Sequence, residues 1–182
     1  MNEFSNNFSP EKRIIKKPVV TEILGRKILD VGNNEGALIG QDELFFVVVD
    51  NGGRFEELED VQGVTSHGFM GCAEVIGELS NGEKFYFQSY GPSGFRKFIE
   101  KIMTIRNAEE ITIADVSIRG EFGRNASVDD DRAEFARDQM RQYESICKKY
   151  SNDDNVFEIQ EESITGLTGE KVVGYSWTEN RP

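Results

Sequence analysis

Residues 72–105 read CAEVIGELSNGEKFYFQSYGPSGFRKFIEKIMTI, and the change of period inside this stretch decides the fold. Residues 72–79 and 83–88 flank Ser80-Asn81-Gly82. Asn-Gly is expected to supply the two positive-φ positions of a tight hairpin turn. Along the second strand Phe85 and Phe87 point to one face, and Lys84, Tyr86 and Gln88 to the other. After Gly91-Pro92-Ser93-Gly94 the apolar spacing becomes helical, at Phe95, Phe98, Ile99, Ile102 and Ile105. Arg96, Lys97, Glu100 and Lys101 then take the wet side. A hairpin followed by an amphipathic helix implies a sheet with a helix laid on it.

Toward the N-terminus, residues 44–49 (LFFVVV) form an apolar run closed by Asp50-Asn51-Gly52-Gly53. The run is too short and too β-branched for a helix, so it reads as a central strand buried on both faces. Residues 19–24 and 27–31 are shorter strand candidates separated by Gly25, with a turn at Gly32-Asn33-Asn34. Residues 54–68 read as acidic and irregular. Residues 1–12 are polar and Asn-rich and read as a flexible arm, leaving 13–182 as a single domain.

Toward the C-terminus, residues 111–118 (ITIADVSI) read as a strand. Ser127-Val128-Asp129-Asp130 resembles a capping box that opens a helix running to about Tyr150. Its stripe is Ala136, Met140, Tyr143, Cys147 and Tyr150, widened by Phe135 and Ile146. Residues 156–160 and 171–177 read as a closing hairpin. The expected class is α+β: a mainly antiparallel sheet with two amphipathic helices packed on it, in two layers.

The chain has 182 residues and a net charge of −12. The charge is unevenly spread: residues 32–91 hold 2 basic and 11 acidic groups, whereas residues 92–106 hold 4 basic and 1 acidic. Nucleic-acid affinity comes largely from Lys and Arg displacing counterions, so direct nucleic-acid binding is not expected. No stretch approaches the ~18 apolar residues of a membrane span, and residues 1–13 lack the apolar core of a signal peptide. With Cys72 and Cys147 far apart, the expectation is a cytoplasmic protein with free thiols and no membrane partner.

Chemistry-bearing groups are few. His67 is the sole histidine, and a Cys–His pair with Cys72 would need spatial contact and an orienting third group. A structural zinc site needs about four Cys or His ligands, and this chain has three such residues in all. Asp129, Asp130 and Asp131 sit where the start of a helix favours negative charge, which accounts for them without a metal. No catalytic residue, metal or cofactor is therefore assigned.

Two binding features remain. Glu56, Glu57, Glu59 and Asp60 are the densest part of the acidic segment and suit a basic protein partner. Such a face can also imitate the charge of nucleic acid. Gly91, Ser93, Gly94, Arg96 and Lys97 form an anion seat for a phosphate-bearing small ligand or nucleotide, although the turn lacks a P-loop or dinucleotide fingerprint. The expected function is non-enzymatic binding or inhibition of a protein partner, with small-ligand binding as the alternative. Chains of this character occur among bacterial or phage accessory proteins, an association at the level of fold alone. Thirteen Phe also leave room for a homo-oligomer.

Overall fold

A computed structural model describes residues 17–23, 25–66, 72–120, 131–152, 157–160, 167–168 and 173–176. Among these, the elements run β1 (Val19–Ile23), β2 (Arg26–Val31), β3 (Glu35–Ile39), β4 (Leu44–Val48), β5 (Arg54–Leu58), β6 (Gly63–Ser66), β7 (Ala73–Leu79) and β8 (Lys84–Ser89). There follow α1 (Pro92–Arg106), β9 (Ile113–Gly120), α2 (Asp131–Lys149), β10 (Phe157–Gln160), β11 (Leu167–Thr168) and β12 (Val173–Ser176). Seven strands form one sheet in the order β10-β9-β7-β8-β3-β4-β5, and five form another in the order β1-β2-β6-β12-β11. In the larger sheet only the β10–β9 pairing is parallel. In the smaller, β6 lies parallel to both neighbours, β2 and β12. The class is α+β, with both helices packed on a mainly antiparallel sheet.

The alternation along β8 sorts the layers. Phe85 and Phe87 face the helices, where the Phe87 ring stacks on Phe98 at 4.4 Å between centroids. Phe95, Phe98, Ile99 and Ile102 of α1 and Tyr143, Ile146 and Cys147 of α2 join them in one apolar cluster. Tyr86 faces the other way, into a second cluster with Ala37, Leu44, Phe46 and Val48 of its own sheet and Leu29, Val31 and Val64 of the smaller sheet. The helix-on-sheet pair therefore has a second sheet behind it, which adds a third layer to the two expected. β4 shows the consequence: Phe45 and Val47 pack toward the helices, Leu44, Phe46 and Val48 toward the smaller sheet. A strand covered on both sides has no wet face to alternate with.

Several local expectations change. Three residues, 80–82, lie between Leu79 and Glu83 in the turn from β7 to β8, and of these only Gly82 has positive φ, at 85°. The amide of Gly82 donates to the carbonyl of Leu79 at 2.8 Å, and that of Leu79 to Glu83 at 2.8 Å, so Asn81 needs no left-handed backbone. The stretch 54–68 contains β5 and β6, whose short runs lack a clean apolar alternation. Residues 35–39 form β3, in the middle of the larger sheet. Phe135 is 66% exposed and does not widen the stripe of α2. The segments 156–160 and 171–177 do not pair with each other: β10 joins β9 in the larger sheet, and β12 joins β6 and β11 in the smaller. The arm 1–12, the capping box 127–130 and His67 lie outside the described residues.

Candidate functional site

The acidic quartet sits at a sheet margin. Among the described residues β5 ends the larger sheet at the side opposite β10 and pairs with β4. Glu56 stands opposite Phe46 and Glu57 opposite Phe45, so the two carboxylates leave opposite faces of the strand. Glu59 and Asp60 follow in the turn, where Asp60 takes a left-handed φ of 60°. All four side chains are exposed. Asp60 lies 3.5 Å from Lys27 Nζ, a surface pair of little energetic weight. The quartet is close in sequence, interrupted only by Leu58, but wraps an edge; it does not form one flat face.

The start of α1 is held from behind. Tyr143 of α2 donates its hydroxyl to Ser89 Oγ at 2.8 Å, and Ser89 Oγ donates to the Gly91 carbonyl at 2.7 Å. Gly91 is the N-cap and makes no side-chain cap, Pro92 occupies the first turn, and no acidic residue follows there. Gly94 is buried against the carboxamide of Asn34, leaving no room for a Cβ. Asn34 has a left-handed φ of 58°, accepts the Tyr90 amide at 3.1 Å and donates to Asp50 at 3.2 Å. Ser93, Arg96 and Lys97 are exposed, whereas Gly94 is consumed by packing. Further along the helix, Lys97, Glu100, Lys101 and Thr104 face the turn 49–53 across a groove of about 400 Å³. Lys101 closes one end by donating to the Gly53 carbonyl at 3.3 Å.

A third feature lies between the sheets, and nothing in the sequence reading anticipated it. Glu35, Gln88, Glu74 and Arg119 occupy one register row across β3, β8, β7 and β9. Glu35, Gln88 and Glu74 are buried. Glu35 accepts the Gly32 amide at 2.8 Å, and Gln88 donates to Asn33 Oδ1 at 3.1 Å. Glu74 Oε1 accepts from Ser66 Oγ, on the smaller sheet, at 2.9 Å and from the Tyr86 hydroxyl. Ser66 and Tyr86 also touch each other through their hydroxyls. Burial pushes Glu74 up to about 7, against the downward pull of Tyr86, Ser66 and Arg119. Burial, with the Glu74 charge beside it, also raises Tyr86 well above the usual phenol range.

Burial disfavours the thiolate of both cysteines. Cys72 is 3% exposed and donates to Asn33 Oδ1 at 3.0 Å. Burial raises its thiol despite an opposing hydrogen bond with Gln88, which disfavours the reactive thiolate. Burial likewise pushes Cys147 up to about 12. Among the described residues there is no group of three or more His, Cys, Asp or Glu able to hold a metal ion. Nor, among them, is any helix long and apolar enough to cross a membrane.

No protein family, curated protein or solved structure matches this chain. The functional reading therefore rests on its own residues.

Proposed function

We propose that this chain is a binding protein that engages a basic protein partner through the acidic margin around β5. The observation that carries the reading is the exposure of Glu56, Glu57, Glu59 and Asp60 together at the outer strand and its turn. They lie in a chain of net charge −12, whose field attracts a basic surface and speeds encounter. A basic groove that ordinarily takes nucleic acid is one form of such a partner, and competition by duplex DNA reports it. The test is co-purification from the native cell, read by mass spectrometry at low and high salt. The partner is expected to elute as salt approaches about 1 M, where the screening length falls to about 3 Å. The variant Glu56→Lys/Glu57→Lys/Glu59→Lys/Asp60→Lys is expected to lose the partner and keep its melting behaviour. Retention at molar salt, or by that variant, overturns the reading.

The start of α1 supports a second reading, an anionic small ligand. Its first turn carries no carboxylate, and Arg96 and Lys97 follow in the second, so nothing at the first turn offsets the positive end of the helix dipole. The groove beside Lys97 and Lys101 has the volume of a small-molecule site. A phosphate-bearing ligand is then expected to raise the melting temperature, and Ser93→Ala/Lys97→Glu to abolish the rise. Absence of any shift with saturating pyrophosphate or nucleoside triphosphate removes this reading.

A further inference from the structure

Among the described residues, β5 pairs with β4 on one side and ends the larger sheet on the other. An outer strand presents backbone N–H and C=O groups to any extended chain that approaches. Proteins commonly blunt such edges with charge, and charge also decides what is admitted. Two copies of β5 laid antiparallel edge to edge would set Glu56 against Glu56 or, one register along, Glu57 against Glu57, which is unfavourable for like charges directly opposite. A basic segment meets the reverse condition. The side chains sharpen the choice further. Phe55 is 43% exposed, on the same face as Glu57, with its ring edge-on to Phe45 at 6.0 Å. Arg54, Glu56 and Leu58 lie on the opposite face, where the Arg54 guanidinium sits 6.0 Å over the Phe46 ring.

We infer that the outer edge of β5 takes an extended basic segment of the partner protein as an eighth, antiparallel strand. This rests on the acidic-margin reading and specifies its mode. Antiparallel pairing is the more stable per residue and continues the local pattern of the sheet. The added strand must share the alternation of β5. Its positions opposite Glu57 and Glu56 are consecutive, one on each face, and both are basic. The next position stands opposite Phe55 and is apolar. Read from its N-terminus, the segment is therefore basic, basic, apolar. Main-chain hydrogen bonds supply affinity and these side chains supply selection.

The probe is a blocked peptide, Thr-Val-Lys-Lys-Val-Glu-Thr, compared with the same peptide N-methylated at alternate amides. Methylation leaves the charge and removes the donors of one edge. Binding is read by backbone amide shifts and hydrogen exchange of the full chain. The expected result is slowed exchange within 54–58, affinity about tenfold weaker for the methylated peptide, and a similar loss in Glu56→Gln/Glu57→Gln. Equal, salt-sensitive binding of both peptides with β5 amides unchanged overturns strand addition and leaves the acidic-margin reading standing. Failure of both peptides, while a basic partner protein still binds the chain, overturns strand addition alone. Failure of peptides and basic proteins together overturns both.

Discussion

The Tyr86 hydroxyl donates to Glu74 Oε1 in the space between the two sheets, and that same oxygen accepts from Ser66 of the smaller sheet. One carboxylate oxygen thus ties β7 and β8 to β6. The other, Oε2, is buried with no hydrogen-bond partner among the described residues. The groups around Glu74 are Ser66 from β6, Tyr86 and Gln88 from β8 and Arg119 from β9, with Asp30 of β2 acting on Tyr86.

This arrangement makes stability depend on pH. Folded Glu74 keeps its proton to about pH 7, whereas its ordinary value is 4.5. Between those limits the folded chain binds more protons than the unfolded one, so the contribution falls as pH rises. It is fully present below pH 4.5 and lost by pH 7, with a span of about 3 kcal/mol. Urea unfolding of the wild type and Glu74→Gln at several pH values between 5 and 8 checks this. The stability difference between them is expected to shift in favour of the variant as pH rises. A difference that stays constant across the range refutes the linkage.

Arg106 anchors the end of α1 to two turns of the sheet. It pairs with Glu83 and, at 3.3 Å, with Glu43, while its guanidinium lies 5.1 Å over the Phe45 ring. Its side chain is 23% exposed and that of Glu83 only 12%, so the pair is better shielded than a surface bridge. Arg106→Ala strands the Glu83 carboxylate and is expected to cost about 2–3 kcal/mol in denaturant unfolding. Arg106→Lys keeps the charge but loses the planar fork, and is expected to recover only part of it. A loss below about 0.5 kcal/mol would count against this shielding argument.

Two glycines separate space from backbone strain. A Cβ at Gly77 would overlap the Asp115 carbonyl and the Phe85 ring, both in the packed sheet. At Gly82 a Cβ meets nothing, but φ is +85°. Gly82→Ala is expected to cost about 1–2 kcal/mol from the left-handed backbone. Gly77→Ala is expected to cost more, about 3 kcal/mol, because β7 must move away from β9. Thermal melts of the two variants check the order, and reversal would contradict the close approach of these strands.

The thiols supply a kinetic check. With Cys72 and Cys147 both buried and shifted away from thiolate, labelling by a disulfide reagent at pH 8 is expected to be far slower than in the unfolded chain. Rapid modification of Cys72 in the folded protein would show that its pocket opens.

Local patterning exposed some elements and concealed others. The β7–β8 hairpin and α1 were legible because each carries its own period, two for Phe85 and Phe87 and 3.6 for Phe95, Phe98, Ile99 and Ile102. β4 was legible as a continuous apolar run. β3, β5 and β6 were not: Glu35 and Gly36 in β3, Glu56 and Glu57 in β5, and Gly63 and Ser66 in the four-residue β6 weaken a strand reading. The exposed residues of the candidate sites, from Glu56 to Lys97, could be named as charge and turn signals. The row Glu35, Gln88 and Glu74 could not, because polar residues alternating with apolar ones ordinarily face water.

By itself the sequence determined which segments alternate, which turn, and where charge accumulates, since these follow from backbone geometry and side-chain type over a few residues. The tertiary structure decided that a second sheet covers the face carrying Tyr86, Gln88 and Glu74. It also decided that the acidic quartet wraps an outer strand. Both depend on pairings across long sequence separations, β2 with β6 and β3 with β8 among them, and no local period encodes which strand lies beside which.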